Sequence, residues 1–195
     1  MDYITTMNAI NIKKITVVLA RIAQSMDDLT KLKLMKVLYF IDKEHLIQYG
    51  RFVTGEHYVK MQFGPVSTDI LTIIENIEGL GDECPLSPED REYFLGHLGV
   101  GSDKYRRITC IKAPDLDELS ESEIEVVDQI VARYRTTTAR ELVEISHHES
   151  AWLNAFDLGT LRYEDILDGV DPERKAALLS LLKEDAEYDA VLSGC

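Results

Sequence analysis

Residues 32–66 read LKLMKVLYFIDKEHLIQYGRFVTGEHYVKMQFGPV, and the reading of this stretch decides the fold. Leu32, Leu34, Met35, Val37, Leu38, Tyr39, Phe40, Ile41, Leu46 and Ile47 cover too wide an arc of a helix to face water, so the spacing predicts a central helix packed on several sides. Thr30 is its N-cap and Gly50 its C-terminal stop. After Gly50 the period changes to two. His57, Val59, Met61 and Phe63 alternate with Tyr58, Lys60 and Gln62, which predicts a strand over 57–63. Gly64-Pro65 ends that strand, because proline offers no ladder donor and glycine permits a sharp turn; a positive φ at Gly64 would bar a β-branched residue there. Ser67 then caps a helix over 67–77 with Ile70, Ile73, Ile74 and Ile77 inward.

Outward from this stretch, residues 11–24 carry Ile12, Ile15, Leu19, Ile22 and Ala23 at helical spacing. Residues 78–92 hold Gly79, Gly81, Pro85 and Pro88 and read as loop, with one helical turn after Ser87. Residues 93–98 read as a short strand and 105–112 as a better one; with 57–63 they predict a small antiparallel sheet of about three strands. Ser120 and Glu123 form a capping box that opens a helix to about Tyr134, and Thr138 and Glu141 form another that opens a helix running toward Trp152. Asp171-Pro172 starts the last helix, through Ala177, Leu178, Leu181 and Leu182. The expected fold is a single α+β domain over 1–195, predominantly α-helical, with one central buried helix and a small sheet.

At 195 residues and 45% hydrophobic, the chain buries a core of ordinary size. Its 21 basic and 35 acidic residues give −14, unevenly placed. Residues 1–112 carry 14 basic and 15 acidic groups, whereas 113–195 carry 7 and 20. Such a field disfavours direct nucleic-acid binding and favours a basic partner. Cys84, Cys110 and Cys195 form no CxxC pair, the pattern of reduced thiols. No run approaches the ~18 apolar residues of a membrane span. The start, MDYITTMNAINIKK, has no basic region before a long apolar one, so the chain is expected in the cytoplasm.

Chemistry-bearing motifs are sparse. His147-His148-Glu149 invites a metal-dependent hydrolase, but a helical zinc pair needs its histidines four residues apart, and adjacent ones point about a third of a turn from each other. The alternative is that one of these histidines ends its helix and stacks near Trp152. His45, Glu56 and His57 are accompanied by no nucleophile elbow, and no glycine-rich phosphate loop is present. No catalytic residue, metal ligand or cofactor site is expected. A basic concentration at Lys13, Lys14, Arg21, Lys31, Lys33 and Lys36 reads as a solvated rim. A regular row of carboxylates in the second half would make the chain an acidic nucleic-acid mimic.

Lys33-Leu34-Met35-Lys36-Val37-Leu38-Tyr39-Phe40, the run Phe63-Gly64-Pro65-Val66, and the late Ser146-His147 and Trp152 resemble, in order and spacing, the Panacea or SocA-like antitoxin domain of bacteria and phages. The resemblance runs over residues 11–152, with 153–195 an acidic helical extension outside it. Val37 and Phe63 depart from the commonest leucine and tyrosine, and the doubled His147-His148 leaves open which histidine matches. The resemblance implies a non-enzymatic antidote that binds and neutralises a cognate protein toxin, either directly or as an adaptor delivering the toxin to a cellular protease. It further implies Tyr39, Phe63, Gly64, Pro65, His147 and Trp152 as candidate partner-binding residues, the competing reading of all six being core and turn. A basic toxin, met near the Gly-Pro turn and by the acidic helices after Ala113, is the expected partner.

Overall fold

The computed structural model describes residues 11–79, 86–102 and 104–192; the readings for the chain start, Gly81, Cys84, Pro85 and Cys195 lie outside them. The first helix, α1 (Ile12–Ser25), is capped by Asn11, whose side chain accepts the Lys14 N–H. The second, α2 (Lys31–Tyr49), is capped by Thr30 and closed by Gly50, which takes the left-handed conformation at φ 80° and returns its N–H to the Leu46 carbonyl. Twelve of the residues of α2 are buried, as an apolar arc of that width requires.

Strand β1 (Tyr58–Met61) pairs antiparallel with β2 (Gly64–Ser67), Met61 opposite Gly64 and Tyr58 opposite Ser67, so the turn is Gln62-Phe63. Gly64-Pro65 therefore belongs to a return strand that the sequence reading took for a break. Ser67 ends β2 and caps α3 (Thr68–Ile77), accepting the Ile70 N–H while donating to the Glu56 carboxylate.

The expected three-stranded sheet is replaced by two separate hairpins. Residues 93–98 fall largely in a helix, α4 (Pro88–His97), because Ser87 caps it, Pro88 fits its first position, and Glu89 and Asp90 lie at the positive end of its dipole. The second hairpin joins β3 (Leu98–Val100) to β4 (Ile108–Cys110). The outer edge of each hairpin is covered locally: Gly159 and Leu161 bond to β1, and the Leu29 carbonyl accepts from Ile108 of β4.

The second half supplies α5 (Glu121–Tyr134), α6 (Ala139–His147), α7 (Ser150–Asn154), α8 (Tyr163–Ile166) and α9 (Pro172–Leu192). Both predicted capping boxes form, at Ser120–Glu123 and at Thr138–Glu141. The helix expected to run toward Trp152 breaks after His147, and α7 follows as a separate element. Helix α2 packs against α5, α6 and β2, and α1 against α4, α5 and β4. Arg174 of α9 donates to the Ile47 and Gln48 carbonyls, closing the C-terminal end of α2. Among the described residues, no helix is long and apolar enough to cross a membrane.

The expected basic rim is dismantled by pairing. Lys14 and Arg51 both reach Glu123, Arg21 grips Asp128 through two bonds of 2.8 Å, and Lys31 meets Glu75 and Glu78. Lys33 is buried against the Arg135 carbonyl, and Lys36 is fully buried. Glu123 and Asp128 of the acidic half thus pair with cations from α1 and the loop after α2.

Glu123 is the hub of this pairing. Burial raises its carboxyl, but Lys14, the Ser120 N–H and Arg51 outweigh it and hold the group below the usual glutamate range. Its contribution is complete above that range and is lost as acid protonates it. Glu123→Ala is expected to cost roughly 2–4 kcal/mol at neutral pH, because it strands two cations and a helix cap. Urea denaturation measures the loss, and the gap to the wild type should narrow in acid.

Candidate functional site

Of the six residues singled out by resemblance, five gather around the β1–β2 hairpin and the α6–α7 junction. Gly64 has φ 97°, a backbone state that side chains rarely adopt, and a Cβ there would collide with the Ser146 Oγ and press on the Lys36 side chain. Pro65 is buried, and its carbonyl accepts from the Lys36 ammonium at 2.5 Å. His147 stacks on Trp152 with ring centroids 3.9 Å apart and 18° between planes. Trp152 in turn donates its indole N–H to the Met61 carbonyl, at 3.1 Å, and carries the Lys60 ammonium over its ring. These contacts clamp the hairpin between α2 and the α6–α7 junction.

Phe63, at the tip, is the one of the six that projects into solvent, 54% exposed. Tyr39 lies in the core, edge-on to Phe40 and Tyr58. Burial, with the neighbouring Glu149 carboxylate, pushes its hydroxyl far above the usual tyrosine range. Tyr39, Gly64 and Pro65 are thus buried, while Phe63 is exposed and His147 and Trp152 are partly so.

Two concavities flank the hairpin tip. The larger, about 1000 Å³, lies between the tip, the start of α2, the 104–107 loop and α6; Gln62, Phe63 and His147 form one wall. The smaller, about 460 Å³, is bounded by Lys60, Met61, Gln62, Trp152, Asp157 and Leu158. Next to it Phe156 and Leu158 are 89% and 75% exposed, on a loop whose Leu158 holds φ 60°.

The sequence reading missed Lys36 and Ser146 as the seat of the hairpin, although both stood inside the motifs it used. It also missed Phe156 and Leu158, for which no local signal exists. His147, His148 and Glu149 diverge: one stacks on Trp152, the second turns its ring to the Glu144 carbonyl, and the third pairs with Lys43. Among the described residues, no three side chains are grouped to hold a metal ion. His45, Glu56 and His57 diverge likewise, toward the Arg51 carbonyl, Ser67 and Tyr163.

The family described as antitoxin SocA-like, Panacea domain, matches residues 34–153, more than half of the chain. No curated protein and no solved structure matches it.

Two stability predictions follow from the clamp. Gly64→Ala is expected to cost roughly 2–4 kcal/mol, from left-handed strain plus overlap. Adding Ser146→Ala should recover about 1 kcal/mol by removing the nearest atom; a double-mutant cycle in urea measures this coupling. The second concerns Lys36, whose ammonium burial pushes down to about 7 from 10.5. Between those values the unfolded chain binds more protons than the folded one, so the contribution of Lys36 makes stability rise with pH. Lys36→Met should abolish that rise, on the order of 2–4 kcal/mol across the window, when urea midpoints are compared with wild type.

Proposed function

The chain belongs to the SocA-like Panacea antitoxin family, and on that premise we propose that it binds a cognate protein toxin and neutralises it by direct contact. The observation that carries this reading is the presentation of Phe63. A half-exposed aromatic at the tip of a two-residue turn would lose much conformational freedom on binding if the turn were mobile. Here the turn is seated in advance by the Lys36–Pro65 bond, by the fit of Gly64 against Ser146, and by Trp152 holding the Met61 carbonyl. A rigid aromatic anchor flanked by concavities has the character of an interface hot spot.

Exposed Leu158, which lines the smaller concavity with Trp152, extends this surface, with exposed Phe156 two residues before it. The carboxylates of the second half remain a candidate second contact for a basic toxin, reduced by those already paired internally. Delivery of the toxin to a protease is the alternative mode, and it differs in leaving the toxin depleted.

Co-expression with the product of the adjacent reading frame tests the proposal. That product alone should arrest growth, this chain should restore growth, and the toxin's abundance should stay unchanged. Phe63→Ser should weaken rescue without lowering the melting temperature. A neighbour that is harmless alone, or still toxic beside soluble antidote, defeats the antitoxin reading; rescue with loss of toxin transfers it to the delivery mode.

A further inference from the structure

The larger concavity beside Phe63 has a charge opposite to that of the chain. Three separate elements send cations to it: Lys31 from α2, Lys104, Arg106 and Arg107 from the loop before β4, and Arg140 from α6. Two carboxylates, Asp28 and Glu144, share the lining. Glu75 and Glu78 stand behind it, paired with Lys31 and, for Glu78, also with Arg106. With Asp28 paired to Arg107, and with these carboxylates counted against the five cations, the described residues of the site keep one net positive charge in a chain of −14.

Its surface is also apolar. Leu32, Val143 and Phe63 contribute to it, and Tyr105, 50% exposed, lies under both the Lys104 ammonium and the Arg107 guanidinium. Arg106 holds φ 51°, and with Leu158 it makes up the pair of non-glycine residues with left-handed backbone among the described residues. One stands on each side of the hairpin tip. Backbone strain of this kind persists where surrounding structure enforces it, and it concentrates at ligand clamps.

Resting on the antitoxin reading, we infer that this groove receives a segment of the toxin itself, one with a large apolar side chain flanked by carboxylates. The apolar group would pack between Phe63 and Tyr105, and the carboxylates would meet Arg140 and Lys104. The docked segment is acidic even where the toxin as a whole is basic. A nucleic acid fits less well: the groove combines apolar walls with two carboxylates of its own, and the net charge of the chain repels a phosphate backbone.

The test uses the full chain and the purified product of the adjacent reading frame. Affinity is measured for wild type, Arg140→Glu, Arg140→Lys and, as a net-charge control outside the groove, Arg91→Glu on α4, with melting temperatures taken for each. The expected result is a loss of about ten-fold or more for Arg140→Glu alone, with association of the wild type slowing as salt rises. Wild-type affinity for Arg140→Glu, or equal losses for Arg140→Glu and Arg91→Glu, overturns the groove while leaving the antitoxin reading standing. Binding of a short DNA duplex that Arg140→Glu abolishes, with toxin binding untouched, assigns the groove to nucleic acid and also overturns it. A neighbour that the wild type neither binds nor neutralises defeats the antitoxin reading and the inference with it.

Discussion

The fold turns on one buried ammonium. Lys36 projects from the middle of the most buried helix, with no carboxylate to meet it and the Pro65 carbonyl as its acceptor. Desolvating a cation is costly, and the pressure shows as the fall of its pKa to about 7. What is gained is placement. Because the bond ends on the return strand, the hairpin must sit where its backbone meets the lysine, and Gly64 must leave room for the Ser146 hydroxyl and the lysine stem. Glu56 shows the mirror image: burial pushes its carboxyl up to about 7, with Ser67 as its hydrogen-bond partner. The return strand β2 is thus bonded by both groups, Lys36 at Pro65 and Glu56 at Ser67.

Charge works at two scales in this chain. Globally the second half is acidic, but locally its carboxylates close the gap to the first half, as Glu123 does for Lys14 and Arg51 and Asp128 does for Arg21. Ion pairs that cross from α1 to α5 fix the angle at which two amphipathic helices meet, while the exposed remainder governs encounter with partners. The cationic groove beside Phe63 is a local exception that the net charge conceals.

Helix boundaries were legible because their signals are local. Thr30, Ser67, Ser120 and Thr138 cap within three residues of themselves, and Gly50 stops α2 by its own backbone freedom. The sheet was not legible, since pairing depends on residues far apart: the edge of β1 is met by residues near 160, and alternation over 57–63 says nothing of that partner. Residues 93–98 misled because aromatic content suggested a strand while Ser87-Pro88 upstream had already committed the segment to a helix. Of the candidate site, the Gly-Pro run and the His147–Trp152 pair were readable as motifs. That Tyr39 turns inward, that Lys36 lies beneath the hairpin, and that five scattered cations share one groove are facts of three-dimensional convergence.

The closure of β1 by residues 158–161 has a consequence for synthesis. A ribosome completes the Tyr58–Ser67 hairpin early, yet the segment that bridges its open edge, and the Ala155 carbonyl that receives Lys60 across a separation of 95 residues, emerge much later. Until then the nascent chain displays an unpaired strand edge beside an exposed phenylalanine, a template for the wrong neighbour. The same late segment carries the exposed Phe156 and Leu158, so the residues that cover the edge and those of the second apolar patch are neighbours in the chain.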